Sequence, residues 1–242
     1  MADRPLKLDT DSVVLKRTDQ VSMWDDFPVA GPPGRNVFGY FNDFVSWVPD
    51  EWTNTEVGTS LQNLKDEAHG VLDLTSGATE NDGNNLQLGG TGDTETTGES
   101  FLPAAGRTIW FETRVKYDDE TQSDFLLGLS KQDTTAIDTV VGIFFRKDDG
   151  DALIDAVTSS ASTTASTDLG VKTLAVNTYV RLGFKVFGLD KVEFYIDDVK
   201  VATHSTVANI PAEAMKLTMV ALTGEGNAAT LSVDYIACYQ TR

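Results

Sequence analysis

The stretch Tyr179–Thr203, YVRLGFKVFGLDKVEFYIDDVKVAT, constrains the fold more than any other part of this chain. Val180, Leu182, Phe184 and Val186 fall on one side of an extended strand, as do Val192, Phe194 and Ile196, while Arg181, Lys185, Lys191 and Glu193 fall on the other. Gly188-Leu189-Asp190 supplies a turn between the two runs, and Asp197-Asp198 a second turn that returns Val199 and Val201 as a third strand. The pattern predicts an antiparallel meander with one buried and one wet face.

The rest of the chain agrees with it. Arg107–Tyr117 alternates, with Ile109, Phe111, Val115 and Tyr117 on one face and Trp110, Glu112, Arg114 and Lys116 on the other. FLLGLS and TVVGIFFRK are continuous apolar runs, which suit central strands covered on both faces. VTSSASTTASTDLG reads as a flexible loop or a polar edge strand, and its threonines favour the edge strand. In the last strand Leu231, Val233, Tyr235, Ala237 and Tyr239 alternate with Ser232, Asp234, Ile236 and Cys238. Roughly eleven to thirteen short strands with regular turn signals predict an all-β, two-sheet antiparallel sandwich.

Residues 1–35 differ from this body. VAGPPGRN breaks any regular element, so the sequence predicts an extended N-terminal arm and Pro/Gly linker over 1–35 and a sandwich domain over 36–242. The arm carries a net charge of −1, against −17 for the body. Its apolar residues Val13, Val14, Leu15, Met23, Trp24 and Phe27 are candidates either for contact with a partner or for packing on their own domain.

Composition excludes several classes. With 37 acidic residues against 19 basic ones the chain carries −18, which disfavours nucleic acid and anionic membranes as partners. No run approaches the roughly 18 apolar residues of a membrane span, and the start has no apolar stretch of signal-peptide type. A single cysteine, Cys238, forms no intrachain disulfide and reads as a small apolar residue, in keeping with synthesis in a reducing host cytoplasm.

The segment NTYVRLGFKVFGLDKVEFYIDDVKVAT, followed by LSVDYIACYQ, resembles the late strands of concanavalin-like and laminin-G-like jelly rolls, through Tyr195–Asp198 and Asp234–Tyr239. GVLDLTSGATENDGNNLQLGG, leading into RTIWFETRVKYDDETQSDFLLGLSKQDTT, resembles the version found in virion structural proteins of tailed bacteriophages. That resemblance implies a non-enzymatic capsid decoration or cement protein on the virion surface. Its partners would be the major capsid protein and copies of itself, with a homotrimer as the expected assembly and arm and loop contacts to neighbouring subunits. The alternative is a carbohydrate-binding, lectin-like module on a virion or cell surface, in which Trp47, Trp52, Trp110 or Tyr179 stack on sugar rings instead of packing in the core.

No catalytic residues, cofactor or metal ligands are predicted. Related retaining glycosidases carry a Glu-x-Asp-x-x-Glu-like run that is not matched, and Glu193 and Asp197 would lie about 13 Å apart on one strand. Calcium is conceivable at Asp118, Asp119 and Glu120 or at Asp148, Asp149 and Asp151, but Asp-rich turn chemistry alone explains both loops.

Overall fold

A computed structural model describes residues 8–9, 12–13, 23–28, 36–89, 98–139, 141–224 and 226–242. Its strands are β1 (Leu8–Asp9), β2 (Ser12–Val13), β3 (Val37–Asn42), β4 (Trp52–Asn54), β5 (Leu61–Leu64), β6 (Leu72–Thr75) and β7 (Gly83–Leu88). They continue with β8 (Thr108–Tyr117), β9 (Ser123–Ser130), β10 (Gly142–Lys147), β11 (Leu153–Ala161) and β12 (Thr164–Thr173). The last five are β13 (Val180–Phe187), β14 (Lys191–Ile196), β15 (Val199–His204), β16 (Lys216–Thr223) and β17 (Thr230–Thr241). Among the described residues the helical pieces are three single 3-10 turns, at 49–51, 136–138 and 207–209.

Two antiparallel sheets form the sandwich. One has seven strands in the order β12-β11-β10-β9-β16-β7-β4. The other has eight, in the order β15-β14-β13-β8-β17-β6-β5, with β3 paired to the second half of β17. This is the expected all-β jelly-roll-like architecture. The meander is β13-β14-β15, and both of its turns are where the sequence puts them. Gly188 has φ +59, and Asp197 and Asp198 have φ +51 and +68, the left-handed pair of a two-residue hairpin turn.

The core lies between the sheets. Phe111 of β8 stacks on Phe184 of β13 at 4.7 Å, and Phe194 of β14 meets Phe145 of β10 edge-on at 5.3 Å across the sheet-to-sheet gap. Leu127, Leu129, Ile143, Leu217 and Met219 line the opposite wall, all fully buried. The edges of the two sheets are tied where His204 of β15 meets Asp168 of β12 at 3.3 Å and Lys172 meets Asp197 at 3.6 Å. The Ser/Thr tract over 157–170 forms a hairpin: its first part ends β11, an interior strand, and only its second part lies in β12, the polar edge strand.

The last strand departs from the expected simple alternation. A register shift between Val233 and Tyr235 places a bulge at Asp234. Leu231 and Val233 point into the core, but beyond the bulge it is Ile236 and Cys238 that do so, while Tyr235, Ala237 and Tyr239 turn to the outer face. One extra residue reverses every side chain after it.

Candidate functional site

The pairing register lays out the outer face of the eight-stranded sheet as a grid across β17, β8, β13 and β14. One row holds Tyr239, Trp110, Lys185 and Glu193; the next holds Ala237, Glu112, Gly183 and Tyr195; a third begins with Tyr235, Arg114 and Arg181. Aromatic rings and charged groups therefore surround Gly183, a position with no side chain. A Cβ built there would lie 3.0 Å from Cε and 3.1 Å from Sδ of Met23.

Residues 23–28 lie across this grid. The segment is a turn closed by a bond from Phe27 N–H to the Trp24 carbonyl, 3.0 Å long. Met23 is 2% exposed and clusters with Trp110 and Tyr195. The Trp24 indole N–H donates to Glu112 Oε2 at 3.0 Å, and Tyr235 O–H donates to Glu112 Oε1 at 2.6 Å. Phe27 meets both Trp110 and Tyr239 edge-on at 5.2 Å. Asp26 pairs with Lys185, whose ammonium also lies over the rings of Trp110 (5.7 Å) and Phe187 (4.5 Å).

The electrostatics follow from these contacts. Glu193 accepts from Lys191 Nζ at 2.8 Å and from Tyr195 O–H at 2.7 Å. Burial pushes its carboxyl up, but those two bonds with the charges of Lys191 and Lys200 outweigh burial and hold it below the usual carboxylate range. Burial, and then the bond to Glu193, raises the Tyr195 phenol; burial and Glu112 do the same to Tyr235. Both phenols stay protonated donors at neutral pH. Trp110 is 1% exposed, and its indole N–H has no acceptor among the described residues. An unmet buried donor costs about 1–3 kcal/mol.

Beside the covered grid the face is open and charged. Tyr179 lies under Arg114 (4.0 Å) and Lys116 (4.4 Å) and donates to Glu67 at 3.2 Å. Burial and the Glu67 charge push its phenol up to about 12. Arg114 pairs with Asp234, and Arg181 with Asp198 at 2.5 Å.

The outer face of the seven-stranded sheet is different. Leu126, Phe144, Val157, Val220 and Leu222 form an apolar floor, covered by Ala136 and Ile137 from the loop between β9 and β10. Gln87 of β7 anchors that loop, donating to the Lys131 carbonyl at 2.9 Å and accepting from Asp133 N–H at 2.9 Å. A recess of about 370 Å³, lined by Glu56, Thr59, Ser60, Leu61 and Ser76, lies at one end of the sandwich.

Of the arm residues singled out in the sequence, Met23, Trp24 and Phe27 pack on their own domain, the second of the two alternatives. Val13 belongs to β2, and Val14 and Leu15 lie outside the described residues. Trp52 is a core residue, 1% exposed, with Trp47 tilted against it at 6.1 Å. Trp110 instead faces outward under residues 23–28. In the Asp-rich loops Asp119 accepts from the backbone amides of Thr121 and Gln122 and Asp151 from that of Leu153, while Asp148 pairs with Arg146 at 3.1 Å. Among the described residues no group of three or more His, Cys, Asp or Glu is arranged to hold a metal ion. Sequence reading missed Tyr235 and Tyr239 as outward groups because of the bulge, and Gly183 as the floor because a lone glycine in a strand marks close approach without saying of what.

No protein-family model and no curated protein matches the chain. Solved structures do. A glycoside hydrolase family 16 endo-glucanase from Bacteroides ovatus in complex with G4G3G-2F-DNP superposes with TM-score 0.55 at 14% identity, over 81% of this chain and 98% of that one. A Shewanella oneidensis protein of unknown function gives 0.57 at 14% identity, over 85% and 87%. A structure of botulinum neurotoxin type C, whose cell entry depends on two ganglioside molecules, gives 0.52 at 7% identity, over 78% of this chain and 42% of that one. These likenesses are of fold. They overturn the expected kinship with phage capsid decoration proteins, and the virion, cement and capsid reading falls with it. The residues that carried the resemblance are architectural: Asp197-Asp198 is a hairpin turn, and Asp234 is a bulge residue paired with Arg114. The expectation of a non-enzymatic protein is corrected as well, since the architecture is shared with glucan-cleaving enzymes.

Proposed function

We propose that the chain binds carbohydrate on the outer face of its eight-stranded sheet. The observation that carries this reading is the grid around Gly183, where Trp110, Tyr195 and Tyr239 alternate with Glu112, Glu193 and Lys185. A sugar ring offers an apolar C–H face and a rim of hydroxyls. Aromatic rings supply the first contact, and carboxylates and ammonium groups hydrogen-bond the second. The glucan and ganglioside recognition named for structures of the same fold supports the reading.

Calorimetric titration of the full chain against an oligosaccharide panel tests it. Millimolar or tighter binding to at least one oligosaccharide is expected, with Glu112→Gln and Trp110→Ala each weakening it about tenfold or more, as loss of a charged hydrogen bond or a ring contact does. Binding that survives both substitutions unchanged places the sugar elsewhere and overturns the reading. The same mixtures, incubated and assayed for new reducing ends, measure cleavage. Signal abolished by Glu112→Gln would make Glu112 a catalytic carboxylate.

A further inference from the structure

We infer that residues 23–28 occupy this site as an internal substitute for its ligand, and that the ligand they stand in for is an oligosaccharide bearing carboxylates, of the uronic-acid type. The inference rests on the carbohydrate reading of the face and adds what regulates the site and which sugars it takes.

The contacts that Met23, Trp24, Asp26 and Phe27 make with the sheet are ones that such a sugar can make. The Trp24 N–H to Glu112 bond is the bond a sugar hydroxyl would donate. Met23 over Gly183, and Phe27 against Trp110 and Tyr239, fill the volume that a ring's C–H face would fill. Asp26 is the decisive one. Lys185, whose side chain is 8% exposed, has this carboxylate as its ion-pair partner and otherwise faces aromatic rings. If the segment leaves and a neutral sugar enters, a nearly buried ammonium loses its counter-charge; a carboxylated sugar restores it. Glu193, the cross-strand neighbour of Lys185, already serves Lys191, Lys200 and Tyr195, so the counter-charge it offers Lys185 is a shared one.

The substitute is also incomplete. Among the described residues the Trp110 indole N–H beneath it has no acceptor, a donor that a ligand hydroxyl is suited to meet. Residues 23–28 lie on the sheet as a turn and not as one of its strands, so lifting them breaks no ladder among the described residues. A site occupied in this way lowers apparent affinity by the fraction of molecules in which it is closed.

The test compares the full chain with two release variants, Asp26→Asn and the double variant Trp24→Ala/Phe27→Ala. Asp26 is exposed, so Asp26→Asn keeps a folded protein in the comparison even if the double variant unfolds. Each is titrated with an oligogalacturonate and with a neutral cello-oligosaccharide of equal length. The released chains are expected to bind the oligogalacturonate several-fold to about tenfold tighter than the parent, as removal of a closed state requires. They are also expected to prefer it to the neutral sugar, and Lys185→Gln in the released background is expected to erase the preference. Equal affinity for parent and released chains overturns the substitution while leaving carbohydrate binding intact. Equal affinity for acidic and neutral sugars overturns the ligand class. Failure of every chain to bind any oligosaccharide overturns the carbohydrate reading itself, and this inference with it.

Discussion

Single residues in this sandwich are set by burial more than by neighbours in sequence. Asp124, in the fully buried strand β9, accepts from Asp149 N–H, yet burial pushes its carboxyl up to about 6, with the Asp149 charge adding to it. An unfolded aspartate titrates near about 3.9, so between roughly pH 4 and 6 the folded chain holds a proton that the unfolded chain has lost. Stability from this group is present at low pH and falls as pH rises through 6. Asp124→Asn is expected to raise the melting temperature at pH 7.5, by the equivalent of about 1–3 kcal/mol, and to make no difference at pH 4. Scanning calorimetry at the two pH values decides it. Cys238 illustrates the same rule: its burial in the core raises the thiol well above its usual range, which agrees with the apolar role read from the sequence.

At the scale of elements, each apolar run implied a cover, and the structure supplies covers of two kinds. The uninterrupted FLLGLS run of β9 needed burial on both faces, and its outer face is closed by the loop of residues 131–139. That loop is pinned by Gln87, which also donates to Ser130 Oγ at 3.0 Å and Thr218 Oγ1 at 3.2 Å. Gln87→Ala strands several buried polar groups at once and is expected to cost about 2–4 kcal/mol. Hydrogen exchange should accelerate first across residues 131–139, and protection there equal to the parent's would refute the pin. The eight-stranded sheet carries the second kind of cover, residues 23–28, seated by Trp24, Asp26 and Phe27. The edge strand β12 was legible from the β-capable threonines of a polar tract, and the meander from period-two alternation, both of which are local. The bulge at Asp234 was not, because nothing in LSVDYIACYQ reports which residue is left unpaired by its neighbour β8.

For the molecule as a whole, a shared core holds the two sheets together, helped at one edge by His204 and Asp168 and on the opposite side by Gln62 of β5, which donates to Asn84 Oδ1 of β7 at 2.6 Å. Phe184, stacked on Phe111 and tilted against Phe194 at 5.8 Å, lies at the centre of that core. Phe184→Ala is expected to destabilise the chain by about 3–5 kcal/mol, read as a shifted midpoint in urea with little change in slope. At the edge, His204 bonds Thr158 at 2.8 Å and contacts Asp168, and burial lowers its pKa more than Asp168 restores it. A base held below its ordinary value contributes stability above that value and loses it as pH falls through the folded one. Acidification from pH 7 towards 5 should therefore loosen the β12–β15 edge, and His204→Gln should flatten that part of the pH profile. The sequence by itself determined the all-β class, the meander and its turns, and the residues that fill the core, because strand periodicity and turn chemistry are written in consecutive residues. Only the tertiary structure decided which way Trp110, Tyr235 and Tyr239 face, what lies over Gly183, and that three of the arm's apolar residues belong to their own domain. Those are pairings between residues far apart in the chain, and no local pattern encodes the register that brings them together.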